Sequence, residues 1–197
     1  MNVVLADYGA GNVRSVLAAL TRAGADVRIS TDAAEVREAP LAVIAGVGHV
    51  ASAASGLAPV ADALRERIGR ARPVVGICVG LQLLFEESEE GGRGLGVLRG
   101  SVRRLRARRV PHMGWNELTV VRPTPLLAGL DGADVYFAHS YSAVPAEDVT
   151  TAEVVHDAPV VAAVERGAVA GVQFHPERSG SAGAQFLRNT LAWAAGW

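Results

Sequence analysis

Lysine is absent from this chain of 197 residues, so all 19 of its basic residues are arginine. Without lysine the chain cannot form a Schiff base, anchor pyridoxal phosphate or build the lysine-containing phosphate loop of many nucleotide-binding proteins. The chain also has one cysteine, which excludes an internal disulfide, a CxxC redox pair and a cysteine-rich zinc site. The absence of lysine and the single cysteine therefore exclude several cofactor-dependent reactions.

A strong charge of either sign and a long apolar run are missing as well. The formal net charge is −1, which gives no electrostatic reason to expect nucleic acid or an anionic membrane as a partner. The longest apolar stretch, residues 40–64, is interrupted by His49, Asp62 and serines, so it is not expected to span a membrane. The N-terminus has no basic targeting segment, and we therefore expect a cytoplasmic protein.

Short apolar runs alternate with helical patterns in the first half of the chain. Continuous apolar runs are typical of parallel strands that are buried on both faces, with helices covering the sheet. The predicted strands of this half are residues 2–6, 27–29, 41–45 and 73–77, and the predicted helices are 12–23, 59–70 and 80–87.

The second half contains strand candidates with short connections, which predicts an antiparallel extension of the sheet. These strands are residues 118–121, 135–138, 152–156, 160–164 and 168–174, and a last helix is predicted over 182–194. The fold class is therefore α/β, a central and mostly parallel sheet flanked by helices. No linker is long enough to separate two units, so residues 1–197 are predicted to form a single domain.

The single cysteine, Cys78, lies between a buried strand and a predicted helix, in a G-x-C-x-G frame. This frame is the cysteine counterpart of the serine nucleophile elbow, in which a sharp turn projects the nucleophile from the carboxyl edge of the sheet. Gly76 and Gly80 allow close backbone approach, and the N–H of Val79 is predicted to point at a developing oxyanion. An inert core cysteine is the alternative, but the frame favours a nucleophile.

A thiolate nucleophile needs a base, and the base needs a group that fixes its tautomer. His175 follows an apolar strand, and Glu177 comes two residues later, across Pro176. The proline biases His175 to an extended conformation, which lets the carboxylate reach the imidazole. His-Pro-Glu alone is more typical of a surface turn. Together with the elbow it predicts a Cys78–His175–Glu177 triad.

A second oxyanion donor is expected at another strand end. Gly46, Val47 and Gly48 follow the predicted strand 41–45, and flanking glycines allow unusual backbone angles. The donor would be the backbone N–H of Val47 or Gly48. An ordinary glycine turn is the alternative for this segment.

These segments resemble the class I (triad) glutamine amidotransferase family. Residues 76–82 and 173–177 carry the resemblance to the family, and residues 7–12, 110–116 and 136–141 narrow it to the histidine-biosynthesis branch. The resemblance runs from residue 3 to residue 191. It implies the flavodoxin-like fold of the class I glutamine amidotransferases.

The resemblance also implies an activity, the hydrolysis of L-glutamine. Cys78 would attack the side-chain amide, His175 would carry the proton to the departing ammonia, and Glu177 would orient His175. The resulting thioester would be hydrolysed to glutamate. The implied substrate-binding residues are Gly48, Gln82, Ser140 and Tyr141.

A partner is implied as well, a cyclase subunit that receives the ammonia in a heterodimer, and no metal or organic cofactor is implied. Arg178 stands where the family often has lysine, which keeps the charge and changes its shape. Ala45 and the pair His49-Val50 also depart from the family pattern, which commonly has proline and Ala-Phe there. The implied interface residues are Gly11, Asn12, Trp115, Asn116 and Arg178.

Three alternatives stay open from the sequence. The chain could be another class I glutaminase, such as that of pyridoxal phosphate or anthranilate synthesis, although residues 111–116 argue against this. It could be a stand-alone cysteine hydrolase, which would turn over amides without a partner. A non-catalytic binding module is the third, and the intact Cys78, His175 and Glu177 argue against it.

Overall fold

The strands and helices alternate in the first half of the chain, and strands dominate the second half. The structure is a computed structural model that describes residues 1–6, 9 and 12–197. The strands are β1 Asn2–Ala6, β2 Asp26–Ser30, β3 Leu41–Gly46, β4 Val74–Cys78, β5 Glu87–Ser88, β6 Gly100–Arg104, β7 His112–Glu117, β8 Thr119–Val120, β9 Asp134–His139, β10 Tyr141–Pro145, β11 Thr150–His156, β12 Ala158–Arg166 and β13 Val169–Val172. The α-helices are α1 Val13–Arg22, α2 Ala33–Glu38, α3 Val50–Gly69, α4 Val79–Gln82 and α5 Gly180–Ala194.

The central sheet has eight strands in the order β2-β1-β3-β4-β13-β12-β11-β8. The pairs from β2 to β13 are parallel, and those from β13 to β8 are antiparallel. Every residue of β3 and β4 is buried, as expected of parallel strands covered on both faces. The predicted mostly parallel sheet with an antiparallel extension is confirmed.

The strand register brings the predicted site segments to one edge of this sheet. Gly46, the last residue of β3, pairs with Cys78, the last residue of β4. β13 ends at Val172 opposite Ile77, so the chain leaves β13 toward His175 at the same edge. The carboxyl ends of parallel strands meet there, which is where ligands bind in open α/β sheets.

A two-stranded ribbon, β7 with β9, was not predicted as a pair. Its register places His112 opposite His139, and the backbone N–H of His175 donates to the carbonyl of Tyr136 in β9 at 2.8 Å. The ribbon therefore adjoins the edge that carries Cys78. A third sheet, in the order β10-β6-β5, contains further strands that the sequence did not predict.

Two predicted helices have different bounds in the structure. α3 begins at Val50 and contains Pro59, whereas the sequence pattern predicts a helix that begins at Pro59. The segment before Pro59 buries Val50, Ala53 and Leu57 against the core, and this packing offsets the hydrogen bond that the proline removes. α4 ends at Gln82 rather than at residue 87 because Glu86 and Glu87 pair with β6 instead.

α2 was not predicted, although its start carries a standard signal. The Asp32 side chain accepts hydrogen bonds from the backbone N–H groups of Ala34 and Glu35 at 2.7 and 3.1 Å, as an N-cap does. No helix in the described ranges is long and apolar enough to cross a membrane. The single domain over residues 1–197 and the cytoplasmic location stay predictions.

The glycines of the elbow are required by close backbone contacts. A Cβ on Gly80 would lie 1.8 Å from the carbonyl oxygen of Ile44, and one on Gly76 would lie 2.4 Å from that of Gly80. We expect Gly80→Ala to lower the free energy of unfolding by about 1–3 kcal/mol or more, because the added methyl group forces β3 and α4 apart. Urea denaturation measures this change.

The matched control is Gly69→Ala, at the end of α3. A Cβ there meets nothing within 4 Å, so we expect this variant to be as stable as the wild type or more stable by about 0.5–1 kcal/mol. A Gly80→Ala protein with wild-type stability would contradict the close packing of the elbow.

Candidate active site

Cys78 forms the turn between β4 and α4 in a strained backbone conformation. Its φ is 55° and its ψ −107°, in a region that residues with a Cβ rarely adopt. The side chain is buried, with 3% of the residue exposed. Because α4 has only four residues, its dipole provides less support for a thiolate than the predicted longer helix would.

The structure brings His175 and Glu177 together, as predicted. The Nδ1–H of His175 donates to Oε1 of Glu177 at 2.9 Å, and only 3% and 1% of the two side chains are exposed. A 3₁₀ turn over Pro176–Arg178 sets this geometry. Because Nδ1 carries the proton, Nε2 is the basic nitrogen of the ring. Nε2 forms no hydrogen bond of acceptable geometry with the residues that the structure describes.

The electrostatics of the two residues favour an imidazolium beside a carboxylate. Burial lowers the pKa of His175, but the hydrogen bonds and charges of Cys78 and Glu177 outweigh burial and raise it to about 10. Burial raises the pKa of Glu177, and the hydrogen bond and charge of His175 outweigh that effect and hold the pKa below its ordinary value. His175 is thus close enough to Cys78 to interact with it.

Asn12 has a contact that the sequence did not reveal. It precedes α1 as predicted, but its side chain does not cap the helix. Its Nδ2–H instead donates to Oε1 of Glu177 at 3.0 Å, so that this oxygen accepts bonds from both Asn12 and His175. Gly11, an implied interface residue, lies outside the described residues, as do Asp7, Tyr8 and Ala10 of the same motif.

A cavity of about 270 Å³ adjoins Cys78. This volume is small beside the roughly 300–1,000 Å³ of drug-sized ligand sites, and suits a small metabolite. The predicted oxyanion and substrate-binding residues all line it, namely Val47, Gly48, Val79, Gln82, Ser140 and Tyr141.

The turn that carries Gly48 is held by contacts to one carboxylate that the sequence did not indicate. Gly48 has φ of 108°, which favours glycine. Nδ1 of His49 lies 2.9 Å from Oε1 of Glu90, and the N–H of Val50 donates to Oε2 of the same carboxylate at 3.0 Å. Glu90 therefore anchors the start of α3 beside the cavity.

Gln173 is a second residue that the sequence analysis did not assign to the site. It is fully buried, and its Nε2–H donates to Sγ of Cys78 at 3.5 Å. Its Oε1 accepts from Nε2 of Gln82 at 3.1 Å, and the same nitrogen donates to the carbonyl of Tyr141 at 2.9 Å. The sequence feature that could have revealed Gln173 is its place in residues 173–177, the segment that carries the resemblance to the family.

Two of the implied interface residues share a neighbour at the surface. The ring of Trp115 lies 6.0 Å from that of Tyr136, and Cζ of Arg178 lies 5.7 Å from the centre of the Tyr136 ring. Trp115 is 57% exposed and Met113 is 66% exposed. Exposed apolar groups of this size are typical of a protein contact surface. Asn116 is half-buried and bonds within the ribbon.

Comparison with known proteins identifies the class. The family model for glutamine amidotransferase class-I matches residues 4–193. A solved glutamine amidotransferase superposes with a TM-score of 0.79 at 21% identity, covering 98% of both chains. PurLQS from Thermotoga maritima superposes with a TM-score of 0.78 at 21% identity, again covering 98% of both chains. Fold and site together define a class I glutamine amidotransferase.

The more similar relatives are all described as "imidazole glycerol phosphate synthase subunit HisH". The Geobacillus kaustophilus protein is 44% identical over 96% of both chains. The Natronomonas pharaonis protein is 43% identical over 95% of this chain and 92% of its own, and the Mycobacterium tuberculosis protein is 43% identical over 95% and 96%. The chain belongs to the HisH family of imidazole glycerol phosphate synthase subunits, which confirms the predicted resemblance.

Proposed function

We propose that the chain is the glutaminase subunit of imidazole glycerol phosphate synthase and hydrolyses L-glutamine to glutamate and ammonia. The observation that carries the proposal is that Cys78, which lines a small cavity at the carboxyl edge of the sheet, interacts with the hydrogen-bonded His175–Glu177 pair. The names of the relatives support the same activity.

The first half of the reaction forms a thioester. Before the attack His175 already holds the thiol proton on Nε2, in keeping with its raised pKa, and Sγ of Cys78 attacks the side-chain amide carbon of glutamine as a thiolate. The N–H of Val79, with that of Val47 or Gly48, stabilises the oxyanion. The tetrahedral intermediate collapses when its C–N bond breaks, and His175 returns the proton to the nitrogen, which leaves as ammonia.

The second half releases glutamate. A water molecule attacks the γ-glutamyl thioester while His175 accepts one of its protons, and the C–S bond then breaks and the thiol is regenerated. Glu177 keeps Nδ1 of His175 protonated throughout, because it accepts the Nδ1–H bond. The residues proposed to hold the substrate are Gly48, Gln82, Ser140 and Tyr141.

The partner proposed for this chain is the cyclase subunit of the same synthase, in a heterodimer. The relatives are named as subunits, and the exposed Trp115 and Met113 supply an apolar contact surface beside Arg178. Ammonia passing to the cyclase would be consumed in making imidazole glycerol phosphate and an aminoimidazole carboxamide ribonucleotide. Gly11, Asn12 and Asn116 complete the proposed interface.

The test is a glutaminase assay on the purified chain, with and without the cyclase subunit and its nucleotide substrate. We expect slow hydrolysis by the chain alone and a rate at least about tenfold higher in the complex, within the usual range of allosteric coupling. A high partner-free rate that the cyclase leaves unchanged would support a stand-alone hydrolase instead.

A pair of exposed tryptophans makes the partner test specific. Trp115→Ala should weaken the activation, because it removes the largest apolar side chain of the proposed interface. Trp197→Ala is the matched control, since Trp197 is exposed to the same extent, 56% against 57%. Its ring lies 4.0 Å from where a Cβ on Gly167 would stand, just before β13 begins and thus at the opposite edge of the sheet. Equal effects of the two substitutions would contradict the proposed interface.

A further inference from the structure

Three histidines that the proposed reaction does not use contact one another, two of them on the buried face of the β7–β9 ribbon and the third, His156, on β11, and one of them, His139, lines the cavity. His112 stacks on Phe137 with 4.5 Å between ring centres and on His156 with 4.2 Å. His112 and His139 are buried, with 4% and 6% of each residue exposed. In the described part of the chain, no group of three or more His, Cys, Asp or Glu could hold a metal ion. Their role therefore has to be found in their hydrogen bonds.

The hydrogen bonds of this cluster fix one tautomer for each buried ring. Nδ1 of His139 lies 2.8 Å from the Tyr141 carbonyl; because a carbonyl only accepts, Nδ1 carries the proton. Nε2 of the neutral ring then accepts from Nδ1 of His112 at 3.2 Å. Nε2 of His112 in turn accepts from Nδ2 of Asn116 at 3.2 Å. That amide is itself oriented, since Nδ2 also donates to the Val155 carbonyl at 3.0 Å.

The same Tyr141 carbonyl links this chain of bonds to the nucleophile. It accepts a second bond from Nε2 of Gln82 at 2.9 Å, which uses both of its lone pairs. The other N–H of Gln82 donates to Oε1 of Gln173 at 3.1 Å, and Gln173 donates to Sγ of Cys78 at 3.5 Å. Both glutamine amides are therefore held in one orientation.

We infer that His112 and His139 are positioning residues, which hold the Tyr141 carbonyl and through it the Gln82 and Gln173 amides that orient the Cys78 thiol. We call this set of hydrogen-bonded groups the relay. Its members, from the ribbon inward, are Asn116, His112, His139, the Tyr141 carbonyl, Gln82, Gln173 and Cys78.

The relay requires neutral rings, and the surroundings keep them neutral. Burial lowers the pKa of His112 to about 4, with a further contribution from the charge of His156. Burial lowers the pKa of His139 to about 3, although the Tyr141 carbonyl acts in the opposite direction. A second proton on either ring would turn its Nε2 from an acceptor into a donor that faces another donor. The depressed pKa values prevent that conflict near neutral pH.

The inference deepens the proposed function, and the test separates the two through a reaction that needs no glutamine. Cys78 is the only cysteine, so the rate of alkylation by iodoacetamide in the full chain reports on this thiol alone. The thiolate is the species that reacts, and a hydrogen bond donated to sulfur favours that species. Loss of the relay should therefore slow alkylation.

The decisive comparison is His139→Leu against His139→Asn. Leucine removes both nitrogens, and we expect alkylation of Cys78 to slow about three- to tenfold, the effect of losing one hydrogen bond. Asparagine can place an N–H near the position of Nδ1 and keep the Tyr141 carbonyl bonded, so its rate should stay within about twofold. The glutaminase kcat should fall with His139→Leu more than KM rises. Equal rates for wild type, leucine and asparagine variants would overturn the inference.

Two further variants test the relay in case His139→Leu does not fold. His112→Phe keeps the stacking on Phe137 and His156 and removes the bonds of the ring nitrogens, and Asn116→Ala removes the half-buried outer end of the relay. Both should slow alkylation. His156→Phe is the matched control, because His156 stacks on His112 but donates or accepts nothing within the relay, and its rate should match the wild type.

The outcomes for relay and proposed function differ. If the chain shows no glutaminase activity but its variants are alkylated in the expected order, the relay is supported and the proposed function is rejected. If the chain is an active glutaminase and the folded His112→Phe and Asn116→Ala variants are alkylated as fast as the wild type, the relay is rejected and the proposed function is retained.

Discussion

Replacing Cys78 with alanine is expected to abolish synthesis from glutamine in the complex with the cyclase and to leave synthesis from added ammonia intact. Without the thiol no thioester forms, and the loss should be roughly 10⁴-fold or more, as for other catalytic nucleophiles. Alanine keeps the Cβ at this strained position, where φ is 55°, so the turn geometry is preserved. The measurement is the rate of the complex with each nitrogen source.

The ammonia-dependent rate is the internal control for folding and assembly. If Cys78→Ala lost both activities, the division of work between a glutaminase and a cyclase would be wrong. If glutamine-dependent synthesis survived, Cys78 would not be the nucleophile. Cys78→Ser should behave like the alanine variant, because the hydroxyl is a far weaker nucleophile than the thiolate in a site arranged for sulfur.

Glu177→Gln is expected to lower glutaminase activity roughly 10²-fold while the fold and the partner binding are retained. Oε1 of Glu177 accepts from both His175 and Asn12, and an amide oxygen in the same place can accept both bonds. The tautomer of His175 is therefore kept, and the charge that stabilises the imidazolium is lost. Steady-state kinetics measures the loss.

The sign of the pH effect follows from the same contact. Glu177 is one of the groups that raise the pKa of His175 to about 10, so its neutral replacement lowers that pKa. The alkaline limb of kcat/KM, where the imidazolium loses its proton, should move to lower pH. In the wild type the raised pKa stabilises the folded state fully below the unfolded value of about 6.5. That contribution is lost as the pH rises through about 10, and Glu177→Gln should reduce it.

The matched control for this variant is Glu165→Gln. Glu165 is also partly buried and accepts from Nε1 of Trp193, and it pairs with Ala170 near the start of β13, away from His175. Its kcat/KM profile should be unshifted. An unchanged rate and an unshifted alkaline limb in Glu177→Gln would remove Glu177 from the mechanism.

The central sheet could be predicted because its strands are continuous apolar runs. β1 has the predicted bounds, β3 extends one residue beyond its predicted end, and β4 is shifted by one residue, from 73–77 to Val74–Cys78. Elements set by tertiary contacts could not be predicted. The ribbon strand β7 exposes Met113 and Trp115, so its pattern has no buried apolar face, and α4 is cut short by pairing of Glu87 with β6.

Some residues of the candidate site could likewise be predicted from the sequence, and others could not. Cys78, His175 and Glu177 are recognisable because each follows or adjoins a strand end in a short motif. The contact from Asn12 to Glu177 joins residues that are 165 positions apart, and Gln173 meets Cys78 across 95 positions. Such contacts depend on how α1 and β13 pack against the elbow, which no local pattern encodes.

The most direct test of Cys78 as the nucleophile for glutamine is covalent labelling with a chloromethyl ketone analogue of glutamine, read by mass spectrometry of the digested protein. The account predicts a single label on the peptide that contains Cys78, protection by L-glutamine, and no label in Cys78→Ala. Labelling of another residue, or equal labelling of the wild type and Cys78→Ala, would contradict it.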